Sequence, residues 1–252
     1  MIKSKIKRSY YEKSPLAKLW DKFLPVDEIP EERIPDKKTL DYLESSYPSN
    51  HNYVLKQGKL IALGKLARRY QDISIHYPEG MQSLLDTSCS KGYFNFDAVQ
   101  SYSCKRSMGI DVVENELEAC AAVKKYLNEE ITNFEEMRLH DLASRIDEFG
   151  GPFDTALVIN CYQYLYFGSS RFNASYMSHN SIFSDLRKVC DGRVIFSNRI
   201  EVKHLQEYPE KKFKGMKELY DEQTIYAAAS KYFEVKRVGK LGRYPLWTLD
   251  AL

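Results

Sequence analysis

The chain has 252 residues, is 43% hydrophobic and carries a formal net charge of +2. That length can bury one substantial core, while so small a charge gives no strong field for gathering nucleic acid. No run of about 18 apolar residues occurs, so no membrane-spanning helix is expected, and the charged N-terminus lacks the apolar centre of a secretory signal.

Residues 1 to about 50 read as a basic extension. Lys3, Lys5, Lys7, Arg8, Lys13, Lys18 and Lys22 interleave with Ile6, Tyr10, Leu16, Leu19, Trp20, Phe23 and Leu24, until Pro25, Pro30 and Pro35 interrupt. A basic amphipathic helix of this kind either touches a membrane surface or an anionic substrate, or docks its apolar side on the main domain as a lid. Between Asn52 and Tyr70, the near-helical spacing of Leu55, Leu60, Leu63, Leu66 and Ala67 predicts a helix. From Gln82 onward the pattern alternates. Strands are expected at 82–86, 107–112, 136–140, 154–160 and 192–198, with helices near 92–100, 114–127, 142–148 and 178–190. This predicts an α/β fold with a mostly parallel sheet and helices on both faces. After a helix at 221–231, strands at 232–238 and 244–249 are joined by Gly239–Arg243. That link is too short for a crossover helix, so the pair is antiparallel. Five cysteines, Cys89, Cys104, Cys120, Cys161 and Cys190, never fall in CxxC spacing, which predicts a reduced cytoplasmic protein without a metal site.

The most informative stretch begins with the short apolar strand ending at Asp86. Thr87, Ser88, Cys89, Ser90 and Lys91 form a turn of mainly small residues, and Gly92 opens a helix. About 18 residues past that glycine a second strand, Ser107–Val112, also carries an acid near its end, Asp111. A tight strand-to-helix turn followed by a strand-terminal carboxylate grips a nucleoside cofactor in open α/β sheets, the carboxylate accepting from ribose hydroxyls.

Residues 52–252 resemble the class I S-adenosylmethionine-dependent methyltransferases. The family's D-x-G-x-G-x-G turn aligns with Asp86–Gly92 and keeps only the last glycine. If position 88 requires φ > 0, Ser88 is strained there by roughly 1 kcal/mol or more. The resemblance implies a Rossmann-like seven-stranded sheet with an antiparallel last strand, a helical N-terminal extension, and S-adenosyl-L-methionine as cofactor. It also implies ribose binding at Asp111 and Val112 and adenine recognition by Asp141 and the Leu142 backbone. Phe153–Leu165 resembles the family's fourth motif, which places Asn160 and Tyr162 near the methyl group, whereas Asp154 sits at the strand's entrance and reads as structural. The DPPY-type signature of amino-group methylation is absent after this strand.

A hydroxyl acceptor gains from a general base, and His179, Glu201 and His204 follow the fourth and fifth strands, with Tyr164 beside them. His140 is expected beside adenine or pointing outward. The turn Lys91–Phe94 resembles that of methyltransferases of bacterial surface-polysaccharide sugars, as does Arg243–Leu246, and also that of tRNA wobble-uridine methyltransferases, as does Gly109–Asp111. The expected acceptor is therefore a small molecule or glycan hydroxyl. A tRNA substrate is the first alternative, with the basic cluster Lys211, Lys212, Lys214 and Lys217 as its local support, and a non-catalytic nucleoside-binding relative is the second.

Overall fold

The computed structural model describes residues 29–169, 175–205 and 219–252. The basic run Lys3–Lys22 and the lysines at 211–217 lie outside these residues. Helix α1 (Lys37–Ser45) is capped by Asp36, whose carboxylate accepts from the Thr39 N–H at 2.7 Å.

The helix expected over 52–70 is replaced in its first half by a hairpin, β1 (Tyr53–Lys56) and β2 (Lys59–Ala62), and only then comes α2 (Gly64–Ser74). Gln57 and Gly58 both adopt positive φ, 51° and 68°, the backbone that a two-residue hairpin turn needs. Leu55 and Leu60, which stand at helical spacing, are cross-strand partners in this hairpin.

The remaining strands are β3 (Ser83–Asp86), β4 (Arg106–Asp111), β5 (Thr132–Glu136), β6 (Phe153–Ile159), β7 (Cys190–Ser197), β8 (Phe233–Leu241) and β9 (Tyr244–Ala251). They form one seven-stranded sheet in the order β5–β4–β3–β6–β7–β9–β8. The first five are parallel, and β9 lies antiparallel between β7 and β8. The closing turn is tighter than expected, Gly242 and Arg243 alone separating the two strands.

Successive strand residues feed opposite faces. Leu85, Ala156, Val158, Val194 and Phe196 join the core under α5 (Leu139–Ser144), α6 (Tyr162–Phe167), α7 (His179–Val189) and α8 (Glu222–Ala229). Their neighbours Leu84, Leu157, Ile159 and Ile195 join the core under α1, α2, α3 (Tyr93–Tyr102) and α4 (Glu114–Leu127). Each such buried aliphatic side chain contributes roughly 1.5–3 kcal/mol.

One register correction moves a site residue. The third strand, expected at 136–140, is observed at 132–136. It is an edge strand of sequence TNFEE with one buried end, so it lacks the apolar run that marks its neighbours. The apolar residues Met137, Leu139 and Leu142 belong instead to the approach and body of α5, and Asp141 therefore sits on a helix rather than at a strand end.

Candidate functional site

The turn after β3 is built by backbone. The Thr87 N–H donates to Leu157 O (3.1 Å) and the Cys89 N–H to Ile110 O (3.0 Å), tying the turn to both neighbouring strands. Ser90 and Gly92 adopt positive φ, 49° and 72°, whereas Ser88 does not. The expected strain at Ser88 is thus absent, and a serine two residues on takes the left-handed conformation. Gly109 lets the turn rest on β4, since a Cβ there would stand 2.7 Å from Cys89 Cβ and 2.8 Å from the Phe134 ring.

Asp111, at the end of β4, is pinned on both oxygens. Oδ2 accepts from the Ser90 N–H (2.9 Å) and Oδ1 from the Val112 N–H (2.8 Å). Asp111 faces a cleft of about 1300 Å³ over the carboxyl ends of the strands. Thr87, Ser88, Ser90, Asp111, Val112, Asn160 and Tyr164 line that cleft, with Met137 and Arg138 from the loop after β5 and Leu139 from the start of α5.

Behind the wall lies a charged layer that sequence patterning missed. Lys91 is fully buried, and its Nζ donates to Tyr42 O (2.7 Å), Ser46 O (3.0 Å) and Asn52 Oδ1 (2.7 Å) beneath the Tyr42 ring. Burial pulls its ammonium down to about 8, against the opposing attraction of Glu116. The turn thereby holds the segment from α1 to β1, which contributes Tyr42, Tyr47, Pro48, Asn50 and His51 to the cleft. Arg69 is also buried; its Nη1 meets His51 Nε2 at 2.8 Å, and its Nε has no hydrogen-bond partner among the described residues. Asp86 is buried nearby, and desolvation pushes its carboxyl up to about 6 despite the Ser88 N–H and Arg69, with Asp111 adding to the rise.

Several expected site residues lie away from the cleft. Tyr162 is fully buried, its hydroxyl 2.7 Å from His179 Nδ1. The other nitrogen of His179, Nε2, is 2.8 Å from Leu219 O. A carbonyl only accepts, so Nε2 carries the proton and Nδ1 accepts from Tyr162. Burial lowers the pKa of this imidazole, and with both nitrogens engaged it does not serve as a base. Glu201 pairs with Lys203 and is absent from the cleft wall. Asp141 is held bidentately by Arg138 (2.6 and 2.7 Å), which lowers its pKa. Leu142 is packed in the core, and Asp86, Cys89 and Gly92 lie beneath the lining. Asp154 caps the foot of the sheet, accepting from the Gln82 and Ser83 N–H groups, as its place at the strand entrance implies.

A different histidine faces the cleft. His140 Nδ1 lies 2.9 Å from Asp185 Oδ2, which also accepts from the Tyr176 hydroxyl (2.9 Å), while Lys188 Nζ donates to Asp185 Oδ1 (2.9 Å). Burial raises the Asp185 pKa, but these three donors outweigh it and hold the carboxylate ionised. An ionised carboxylate requires the proton on His140 Nδ1, which leaves the Nε2 lone pair for another partner. The ring is 63% exposed and borders the cleft with Tyr176, Asn180, Ser181 and Ser184. Residues 140 and 185 come together only because α5 and α7 pack side by side.

The fold and the site's position together define a Rossmann-like sheet with a methyltransferase's strand order. No protein-family model matches the chain, and no curated protein matches it. Solved structures do. EvdMO1 is similar over 85% of this chain and 46% of its own, with a TM-score of 0.55 and 13% identity, and its N-terminal domain, solved with SAH bound, gives 0.50 at 13% identity over 73% of this chain and 78% of that one. An O-methyltransferase family protein from Burkholderia thailandensis matches at a TM-score of 0.51 and 13% identity, over 74% and 56% of the two chains. The bifunctional kinase-methyltransferase WbdD matches at 0.51 and 14%, over 73% and 38%. The likeness shows the fold, and the chain spans less than half the length of WbdD and of EvdMO1.

Proposed function

We propose that this chain is an S-adenosyl-L-methionine-dependent methyltransferase acting on a hydroxyl of a small molecule or glycan. The observation that carries the reading is Asp111, oriented on both oxygens by Ser90 and Val112 at the floor of the cleft. The wall beside it suits one end of the cofactor: Asn160 Oδ1 is buried and lacks a partner among the described residues, an acceptor suited to an ammonium. Asp111 would hold the ribose diol, and Met137 through Leu139 would border the base. The structures of EvdMO1 with SAH bound and of an O-methyltransferase family protein support this assignment by fold.

When bound, the cofactor supplies a methyl group already activated by its sulfonium. The chain's share is to align the acceptor oxygen with it and to receive the acceptor's proton, and His140 Nε2, backed by Asp185, is placed for that transfer. The five cysteines are unpaired and buried, which supports a reducing, cytoplasmic setting.

Titration calorimetry with S-adenosylhomocysteine tests the reading. Saturable micromolar binding is expected, and its absence refutes it. A screen of tritiated methyl transfer into fractionated extract then identifies the acceptor. Label entering glycolipid or small metabolites supports the proposal, and label entering RNA replaces it with a tRNA-modifying enzyme.

A further inference from the structure

Most charged arginine head groups described in this fold meet a carboxylate or a run of carbonyls. Arg138 pairs with Asp141, Arg145 with Glu148, Arg193 with Asp250 and Arg237 with Glu222, and Arg106 donates to three carbonyls. Arg199, on the cleft wall, and Arg243, beside it, depart from this. Arg199, just past the end of β7, donates from Nε to the Tyr244 hydroxyl at 3.1 Å, and Arg243, in the turn before β9, donates from its Nε to the same oxygen at 3.0 Å. Their guanidinium carbons lie 5.8 and 5.2 Å from the Tyr244 ring centroid. Among the described residues neither has an ion-pair partner, and the nearby Glu201 is taken by Lys203.

Two like charges thus converge on one neutral oxygen, which costs energy unless an anion offsets it. The donor count points the same way. A phenol oxygen has two lone pairs, both used here by arginines, so the Tyr244 O–H proton is directed at a third group. Arg199 Nη1 is buried and without a partner among the described residues, and Arg199 lines the cleft. The His204 ring stands edge-on to Tyr244 at 5.6 Å.

We propose that Arg199, Arg243 and Tyr244 form a phosphate-binding subsite, and that the methyl acceptor is a phosphorylated hydroxyl compound anchored there by its phosphate. The acceptor assignment rests on the methyltransferase reading; the anion site does not. A tetrahedral phosphate suits donors that arrive from two different loops and a hydroxyl, whereas a planar carboxylate is satisfied by one guanidinium.

The test uses the full chain saturated with S-adenosylhomocysteine and titrated with inorganic phosphate, glucose 1-phosphate and acetate. Phosphate and the sugar phosphate are expected to bind, acetate at least about tenfold more weakly, with Arg199→Gln, Arg243→Gln and Tyr244→Phe each weakening phosphate about tenfold. Arg199→Gln keeps the backbone carbonyl that accepts from Tyr220, and S-adenosylhomocysteine affinity in all three variants is expected within twofold of the parent, which reports folding independently. Phosphate binding unchanged in the Arg199→Gln, Arg243→Gln double variant overturns the subsite. Acetate binding as tightly as phosphate overturns its assignment to phosphate. Phosphate binding that these variants abolish, in a chain that does not bind S-adenosylhomocysteine, keeps the anion site and overturns the acceptor.

Discussion

The two ends of the cleft are built by opposite means. At the end formed by β3 and β4, shape comes from backbone and from buried charge. Ser90 and Gly92 turn left-handed, Gly109 admits the loop, and Lys91, Arg69 and Asp86 are sealed behind it. At the end formed by α5, α7 and the start of β9, the working groups are exposed or half-buried side chains from helices, a strand end and loops: His140, Tyr176, Ser181, Arg199 and Tyr244. The first kind of site tolerates little change, because each substitution there disturbs packing or leaves a buried donor or acceptor unmet. The second can exchange one side chain for another without disturbing the sheet. A common cofactor and a variable acceptor are what such a division serves.

Substitutions at each end sharpen the contrast. With the acceptor found by the tritium screen, His140→Gln is expected to lower kcat by about a hundredfold or more, with unfolding midpoints in urea nearly unchanged. Asp185→Asn should move the acidic limb of the kcat profile against pH, which a merely structural role for Asp185 would leave in place. Lys91→Met is expected to behave in the reverse way. It strands Tyr42 O, Ser46 O and Asn52 Oδ1 without their donor and should cost about 3 kcal/mol in urea unfolding. Equal stability of this variant and the parent would show that the buried end is less interlocked than its hydrogen bonds imply.

Asp86 gives the contrast a pH signature. Its carboxyl is raised by burial from 3.8 to about 6, so between those values the folded chain keeps a proton that the unfolded chain has lost. The associated stability is full below pH 3.8 and is lost as pH rises through 6, on the order of 3 kcal/mol. Asp86→Asn should flatten that slope in denaturant titrations, and an undiminished slope would assign it elsewhere. The smallest effect is expected for Asp111→Ala, about a tenfold loss of S-adenosylhomocysteine affinity by calorimetry with the fold retained. Unchanged affinity there would displace the ribose contact from β4.

The buried strands were legible because their apolar runs end sharply, and α4 was read at its observed limits of 114 and 127. The turn from Asp86 to Gly92 and the strand-end Asp111 were legible because small residues and terminal acids have few other uses in such positions. What failed did so for local reasons. A polar edge strand at 132–136 gave no apolar signal, and the Gln57–Gly58 turn folded two leucines across a hairpin. What went unseen was long-range. Nothing in the spacing of His140 and Asp185, or of Arg69 and His51, announces a contact that only packed helices create. Lys91 reads as a surface residue because lysine nearly always is one.

The placement of β9 has a consequence for how the molecule is made. Its slot lies between β7 and β8, both earlier in the chain, and Trp247 fills the core beneath it. Until residues 244–251 have left the ribosome, β7 and β8 each present an open flank that nothing else in the sheet can close. Assembly therefore finishes by threading a late segment into a waiting gap, and the Arg199–Tyr244–Arg243 cluster comes into being only at that closing step.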